Sequence, residues 1–229
     1  MRKHSKMYVE ALGNVEKNKS YDVTEAIKVL KSLKTRKFDE SVDAVLKLNI
    51  DAKKTDMNVR GSFVLPNGTG KTKRVLVITK TKASEASEAE YCGAEDMLEK
   101  IEKENWFDFD TMIATPDMMP ALGKLGKVLG PKGLMPNPKT GTVTMDTKKA
   151  VEEVKKGRVE YRTDSYGNIH ALIGKVSFDE DKLLENLDAF VSLIIKNKPA
   201  VVKGTYIKGI TVSSTMGPGI KINTNDFDK

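Results

Sequence analysis

The chain has 229 residues, of which 39% are hydrophobic and 31% are charged, and its formal net charge is +7. This balance predicts a folded protein with its own core and excludes wholesale disorder. One cysteine and two histidines exclude an intramolecular disulfide and leave too few ligands for a multi-cysteine or histidine-based metal site. No apolar run approaches the roughly 20 residues that span a bilayer, and the N-terminus has no signal-like core, so we expect a cytoplasmic protein without a membrane partner.

The positive charge is concentrated in the first part of the chain. Residues 1–66 hold 14 basic and 9 acidic residues, against 15 and 14 in 67–157 and 10 and 9 in 158–229. A basic excess favours polyanions, but +7 is also common in proteins that bind nothing charged. Charge alone therefore leaves nucleic-acid binding open.

The N-terminal region predicts two helices and a strand. A short helix is expected around Met7–Leu12 after a basic arm, and a second over Thr24–Leu33, with Asp22 and Glu25 forming a capping box. Apolar and polar residues then alternate over Ala44–Ile50, which predicts a strand with one buried face.

The central region alternates between strands and helices. The continuous apolar run Arg74–Thr79 predicts a strand that is covered on both faces, as parallel strands are. The following elements complete a βαβ pattern: helices near Ala83–Tyr91 and Glu95–Glu104, a strand at Thr111–Ala114, and helices opening at Pro116 and near Lys148–Lys155. Gly130–Lys139 is too rich in glycine and proline to be helical and predicts an ordered loop or a hinge.

The C-terminal region returns to strand patterns. Val159–Thr163 and Asn168–Lys175 predict a hairpin whose turn is Ser165-Tyr166-Gly167. Asp179 is expected to cap a helix that follows it. The apolar stripe of this helix should face the core and comprises Leu183, Leu184, Leu187, Phe190, Val191, Ile194 and Ile195.

A final strand, Gly204–Ser213, leads into the hexapeptide Ser214-Thr215-Met216-Gly217-Pro218-Gly219. Two glycines and a proline end the strand and leave backbone donors, a hydroxyl and a thioether exposed together. The hexapeptide contains no acid, histidine or cysteine. It therefore predicts recognition of a ligand rather than bond-breaking chemistry.

The difference between the chain ends and the centre predicts a mixed α/β (α+β) fold of two domains. A discontinuous, split βαβ domain would comprise 1–66 and 158–229, and an inserted βαβ domain would comprise 67–157.

Gly68-Thr69-Gly70-Lys71-Thr72 is similar to the end of a phosphate-binding P-loop, which would indicate an NTPase. The first glycine of that motif is missing, because its position is Leu65, and Lys71 leads into a strand rather than a helix. The segment is better interpreted as a flexible crossing between domains. A nucleotide-binding enzyme built on the central βαβ block is the rival hypothesis.

Other catalytic candidates have simpler interpretations. Glu152-Glu153 and Asp179-Glu180-Asp181 could serve as acid and base, but their helical surroundings favour a solvated face or a cap. A nucleophilic triad would need Ser214 or Thr215 to meet His170 through the fold. Cys92 is interpreted as a small buried hydrophobe. We expect no enzymatic activity and no cofactor.

Three regions are candidates for RNA binding: Lys34, Arg36, Lys37 and Phe38; the segment from Arg162 to His170; and the hexapeptide. RNA recognition uses bases splayed onto aromatic surfaces, with ribose hydroxyls contacted by small polar groups and backbone amides. Phe38 considered alone favours a core position, but among basic residues it can also stack on a base. The hypothesis depends on the three regions in combination.

Six segments together resemble the family of the bacterial ribosomal protein L-one, which belongs to the stalk of the large ribosomal subunit. They are Lys37–Glu40, Arg60-Gly61, Leu65–Lys71, Ile113–Asp117, Gly130–Pro136 and Ser214–Gly219. They occur in the family's order and span almost the whole chain.

The resemblance implies that the inserted domain is Rossmann-like without a nucleotide. It also implies binding to the 23S rRNA stalk near the E site, assistance in releasing deacylated tRNA, and repression of the protein's own operon through its mRNA. The free protein would be a monomer. The RNA-binding residues implied are Lys37, Phe38, Arg162, Thr163, Asp164, His170, Lys175, Thr215, Met216 and Gly217.

Two residues depart from the family pattern. Members of the family often have a basic residue where this chain has Met7, and another where it has Ser165. Each change removes an expected phosphate contact. The role of the Gly130–Pro136 loop is left open between setting the geometry of the domains and contacting tRNA.

Overall fold

The structure is a computed structural model that describes residues 5–16, 19–33, 37–51, 54, 57–80, 89–224 and 227. It divides into two compact units: unit 1 comprises 1–70 and 159–229, and unit 2 comprises 71–158. Its helices and sheets confirm the predicted mixed α/β class. The division into domains at 66/67 and 157/158 stays a prediction.

The described elements follow one another in the order α1 (Lys6–Gly13), α2 (Val23–Ser32), β1 (Ser41–Leu48), β2 (Arg60–Val64), β3 (Val75–Ile78), β4 (Tyr91–Gly93), α3 (Glu95–Glu104), β5 (Thr111–Ala114), α4 (Met119–Lys124), α5 (Gly126–Leu129), α6 (Thr147–Lys155), β6 (Arg158–Arg162), β7 (Asn168–Lys175), α7 (Glu180–Lys196), β8 (Ile207–Ser214) and β9 (Ile220–Ile222). Short 3-10 turns lie at Pro116–Met118 and Pro138–Thr140. None of the described helices is long and apolar enough to cross a membrane.

The larger sheet of unit 1 has the antiparallel strand order β7-β1-β8-β9. Along β1, burial alternates as the sequence predicts: the buried residues are Val42, Ala44, Leu46 and Leu48. These side chains join one core with α2 and α7. The intervening residues Ser41, Asp43, Val45 and Lys47 are not buried. We call their side of the sheet the open face.

Helix α7 provides much of the core of unit 1. Leu183, Leu187, Phe190, Val191 and Ile194 are buried, as predicted, whereas Ile195 is 39% exposed. The prediction for Ile195 was wrong because the helix turns about 100° per residue, which carries the residue after Ile194 away from the core. Phe190 stacks on Phe63 with ring centroids 5.2 Å apart.

The predicted caps are only partly correct. Asp22 and Asp179 occupy the N-cap positions of α2 and α7, but neither side chain makes a capping hydrogen bond. The capping box of Asp22 and Glu25 is therefore wrong. The Asp179 carboxylate instead lies 2.8 Å from the Lys182 ammonium, one turn into the helix.

The predicted hairpin of β6 and β7 is also wrong as a strand pair. β6 pairs with β2 in a separate two-stranded sheet, while β7 pairs with β1. Among the described residues, a single bridge, Thr163 to Ile169, joins the two arms of the hairpin. Pairing with β2 brings Tyr161 beside Phe63 in the core, with ring centroids 6.0 Å apart.

Unit 2 contains a parallel sheet with the order β4-β3-β5. All four residues of β3 are buried, which confirms a strand covered on both faces. Leu76 and Ile78 pack with α3 and α4, while Val75 and Val77 pack with α6. The helix predicted at Ala83–Tyr91 falls largely outside the described residues, and its last residue, Tyr91, begins β4 instead.

Candidate nucleic-acid interface

The C-terminal hexapeptide is fastened to the start of β1. The Thr215 N–H donates to the Ser41 carbonyl at 3.0 Å, and the Thr215 hydroxyl donates to the same oxygen at 3.2 Å. The Thr215 Oγ1 also accepts the Ser41 N–H at 3.0 Å. A hydroxyl has one proton and two lone pairs, so Thr215 keeps one acceptor position. The residue is exposed, and that position is open to a ligand donor.

The next two residues are fixed in the same way. The Met216 N–H donates to Glu40 Oε2 at 3.0 Å, and Glu40 is only 2% exposed. The Gly217 N–H donates to the Ser214 carbonyl, and a Cβ on Gly217 would lie 2.5 Å from Ser214 Oγ. Only glycine fits there without a shift. The loop therefore presents the Met216 thioether, 44% exposed, from a rigid backbone.

Lys37 and Phe38 come shortly before Glu40 in the chain, and Lys175 stands opposite Ser41. Glu40 and Ser41 are the residues that hold this loop. Phe38 is 52% exposed, so the interpretation of Phe38 as a core residue is wrong. Lys175 pairs in register with Ser41, and its ammonium donates to Ser41 Oγ at 3.2 Å and to the Asp39 carbonyl at 3.3 Å. Lys37 is exposed. Lys34 and Arg36 lie outside the described residues. We call this set, Lys37, Phe38, Lys175 and Thr215–Gly217, the loop cluster.

The remaining predicted residues form a second set at the turn between β6 and β7. Arg162 is exposed, but Thr163 is 8% exposed and its hydroxyl donates to the Val59 carbonyl at 3.3 Å. The Thr163 hydroxyl is therefore engaged within the protein, and its contact with RNA stays a prediction. His170 lies on the open face, opposite Val45 of β1, with 60% of its side chain exposed. We call Arg162, Asp164 and His170 the turn cluster.

Asp164 organises that turn. Its carboxylate accepts the N–H groups of Asn168 at 2.7 Å and Tyr166 at 2.8 Å, and lies 3.5 Å from the His170 Nε2. These hydrogen bonds, the Asn168 backbone N–H first, lower the pKa of Asp164 to about 2. The Asp164 carboxylate thus holds the turn together beside His170, and its contact with RNA stays a prediction.

The two clusters lie at opposite ends of one strand pair. Lys175 stands opposite Ser41, whereas Asn168, beside the turn cluster, stands opposite Lys47. Six steps of about 3.4 Å separate these ends by about 20 Å. The structure thus divides the predicted site, and the open face connects its parts. Tyr166, at the tip of the turn, lies within the candidate segment 162–170 but was not among the RNA-binding residues that the sequence named, and it is 82% exposed.

Asp43 occupies the middle of the open face. Burial raises the pKa of its carboxyl, and the nearby His170 lowers it in part. The other described residues of the open face are mostly polar or basic, among them Ser41, Lys47, Thr211, Ser213 and Lys221, with the apolar Val45 and Leu172 between them. The face is therefore suited to a polyanion more than to an apolar partner.

The P-loop-like segment is a packed turn in this structure. Asn186 on α7 is fully buried, and its side chain accepts the Asn67 N–H at 3.0 Å and donates to the Gly68 carbonyl at 3.2 Å. Gly70 has a φ of +70°, and a Cβ there would lie 2.8 Å from Phe178. Residues 71–74 continue without a helix into β3. A phosphate site of the P-loop type needs that helix.

The other catalytic candidates are separated or engaged elsewhere. Ser214 lies on the core side of β8, and His170 lies on the open face, so they cannot form a dyad. The Glu152 and Glu153 carboxylates pair with Lys156 at 3.6 Å and Arg158 at 2.9 Å. No cluster of potential metal ligands occurs among the residues that the structure describes.

Cys92 is exposed, so its interpretation as a buried hydrophobe is wrong. It lies in β4, which pairs with β3 and forms one edge of the described sheet. Partial burial and the Asp96 carboxylate raise the pKa of its thiol, which disfavours a reactive thiolate at neutral pH.

The chain is also similar in sequence to known proteins. Residues 30–218 match the model of the Ribosomal protein L1p/L10e family. The chain is 57% identical over 224 residues to the "Large ribosomal subunit protein uL1" of Mycoplasma capricolum subsp. capricolum. It has the same identity over the same length to the protein of that name from Mycoplasma mycoides subsp. mycoides SC. Both alignments cover 97% of this chain and 99% of the relative.

Proposed function

The chain belongs to the ribosomal protein L1p/L10e family, whose members are structural rather than enzymatic components of the ribosome, and on that premise we propose that it binds the 23S rRNA stalk near the E site. It would act in the cytoplasmic ribosome as a protein of the large subunit and would be monomeric when free. Binding to rRNA is general to the family. The proposal concerns the RNA element and the residues that contact it.

One observation carries the proposal: the hexapeptide is hydrogen-bonded to residues 40–41, which follow the exposed ring of Phe38 in the chain. Thr215, Met216 and Gly217 have their backbone or hydroxyl groups fixed within the protein. Such preorganisation lowers the entropic cost of binding. Thr215 would accept a hydrogen bond from a ribose or a base edge, Met216 would pack on a base, and Gly217 would allow close approach of the RNA.

Phe38 and the basic residues complete the proposed interface. A ring that is half exposed beside lysines can stack on an unpaired base, which contributes roughly 1–3 kcal/mol per base. Lys37 and Lys175 would bind phosphates next to it. Arg162 and His170 would contact the RNA from the turn cluster, with Asp164 holding His170 in place.

The direct test is binding to a stalk rRNA fragment and to a scrambled RNA of equal length across a salt series. Phosphate contacts weaken as salt rises, whereas stacking and base hydrogen bonds persist. We expect a large affinity gap between the two RNAs that survives at high salt. Equal weakening of both, with no gap, would contradict the proposal.

We further propose that the same interface represses translation of the protein's own operon by binding an mRNA structure similar to the stalk. A fixed interface of this kind accepts two RNAs only one at a time. The leader mRNA and the stalk fragment should therefore compete fully for the protein. Simultaneous binding of both RNAs would refute a shared interface.

Assistance in the release of deacylated tRNA is proposed for unit 2. No acidic residue occurs from 118 to 145, and Lys124, Lys127, Lys132 and Lys139 in that stretch are exposed. Replacing Lys132 and Lys139 by Ala should slow tRNA release in ribosomes that carry the variant. Lys132 also lies 3.6 Å over the Phe107 ring, so Lys139→Ala alone, which leaves that contact intact, should still slow release, by less than the double variant. An unchanged release rate would remove this role from the loop.

A further inference from the structure

A basic groove lies on the open face of unit 1, away from the loop cluster. It has a volume of about 510 Å³. The described residues that line it include Val45, Lys47, Asn168, Lys208, Gly209 and Lys221. Three of the described lining residues are lysines, and none of the described ones is acidic. None of the three lysines forms an ion pair with another described residue.

The strand register explains why the three lysines meet. Lys47 on β1 stands beside Gly209 on β8, and Lys221 on β9 stands beside Thr211 on β8. Gly209 has no side chain and so leaves space between its neighbours. Alternation along the strands places all of these positions on the open face.

Lys208 reaches the groove because of a β-bulge. Lys47 pairs with Gly209, but the next residue, Leu48, pairs with Ile207, so Lys208 is an extra residue on β8. Bulges turn a side chain away from the regular alternation. In a regular strand Lys208 and Gly209 would point to opposite faces, whereas here both line the groove.

The groove is continuous with the proposed RNA interface. Asn168, which lines it, donates its backbone N–H to Asp164 of the turn cluster, and His170 stands opposite Val45 of the groove wall. Within the described part of the chain, the lining supplies ammonium groups, hydroxyls and amides but no exposed aromatic ring. That chemistry fits a charged backbone rather than bases.

We propose that Lys47, Lys208 and Lys221 bind consecutive phosphates of an RNA strand that crosses the open face from the loop cluster to the groove. This inference rests on the proposed function, since it extends the same RNA along the sheet. The groove contributes affinity without sequence preference, because phosphates carry no base information. The bases are recognised at the loop cluster.

The test compares two triple variants with the same change in charge. The groove variant is Lys47→Gln, Lys208→Gln and Lys221→Gln. The control is Lys28→Gln, Lys182→Gln and Lys196→Gln, at exposed sites on α2 and α7, which pack on the other side of the sheet. Binding of each to the stalk rRNA fragment and to the scrambled RNA is measured across a salt series.

A plot of log affinity against log salt has a negative slope, to which each phosphate contact on a single strand contributes roughly 0.7. Because the groove variant loses three such contacts, its slope should be shallower than the parent's by about 2. The variant should lose affinity for both RNAs by about the same factor, at least tenfold, while the control keeps the parent's slope. If the groove variant matches the control, the groove does not bind RNA. The proposal would also be overturned if the groove lysines bound poly-glutamate but did not bind RNA.

The two proposals fail in different ways. If the parent showed no preference for the stalk fragment, the proposed function would fail, while a slope change confined to the groove variant would still support phosphate binding. If the parent kept its preference and the groove variant kept its slope, only the groove would be refuted.

Discussion

The two units differ in how many faces of their sheets are covered by helices. In unit 2 both faces of the parallel sheet are covered by helices, and every residue of β3 is buried. In unit 1 helices pack on one face of the antiparallel sheet, and the other carries polar and basic residues. A ligand can therefore lie across the sheet in unit 1, whereas the sheet faces of unit 2 are occupied by its own core. The contrast explains why the proposed interface lies in unit 1.

The largest expected effects test this contrast through adjacent residues. Met112→Ala and Ile113→Ala, next to each other in β5, should each cost about 2–5 kcal/mol of stability, because both side chains are buried, on opposite faces. In β1, Leu46→Ala should cost as much, but its neighbour Val45→Ala less than about 1 kcal/mol. Urea unfolding measures all four. A loss at Val45 equal to that at Leu46 would mean that the open face is covered.

Thr215→Val tests the loop cluster of unit 1. The substitution removes a hydroxyl that is hydrogen-bonded to Ser41 and that has one lone pair open to RNA. Binding of the stalk fragment should therefore weaken by about 1–3 kcal/mol. Thr215→Ser keeps the hydroxyl and should bind as the parent does. Affinities come from filter binding or calorimetry. Equal binding by the Val variant would exclude Thr215 from the interface.

Phe38→Ala tests whether the exposed ring stacks on a base. We expect a loss of about 1–3 kcal/mol in RNA binding and a change in stability within about 0.5 kcal/mol, because the ring is 52% exposed. Phe38→Tyr retains the ring and is the matched control. If Phe38→Ala lowered the stability of the protein but left its RNA affinity unchanged, Phe38 would have a structural role and would not stack on a base.

The smallest effect concerns Asp164. Its pKa is lowered to about 2 in the folded protein from 3.8, so its ionised form stabilises the turn above pH 4. That contribution should disappear as the pH falls from about 4 to about 2. Asp164→Asn should remove this part of the acid dependence, which acid unfolding of the two proteins would reveal. An NMR titration giving Asp164 a pKa near 3.8 would contradict the hydrogen bonding described.

Much of the fold follows from local patterns. The limits of α3 and β5 agree with the sequence prediction, and the buried face of β1 was predicted from alternation. These features depend on neighbours along the chain, since the period of a helix or a strand is set by its own side chains. The same holds for the hexapeptide, whose glycines and proline end β8 wherever the loop finally lies.

Residues far apart in the chain decided the rest. Thr215 forms hydrogen bonds with Ser41, 174 positions away in the chain. Strand β6 pairs with β2 and not with β7, which follows it in the chain. The bulge at Lys208 appears only when β8 is paired with β1.

The sequence by itself determined the class of fold, the family and the residues that carry the proposed recognition. Only the tertiary structure separated them into two clusters, engaged the Asp164 and Thr163 side chains in hydrogen bonds within the protein, and brought three lysines into one groove. The physical reason is that a strand's periodicity is encoded locally, whereas its partner, register and bulges depend on which arrangement buries the whole core.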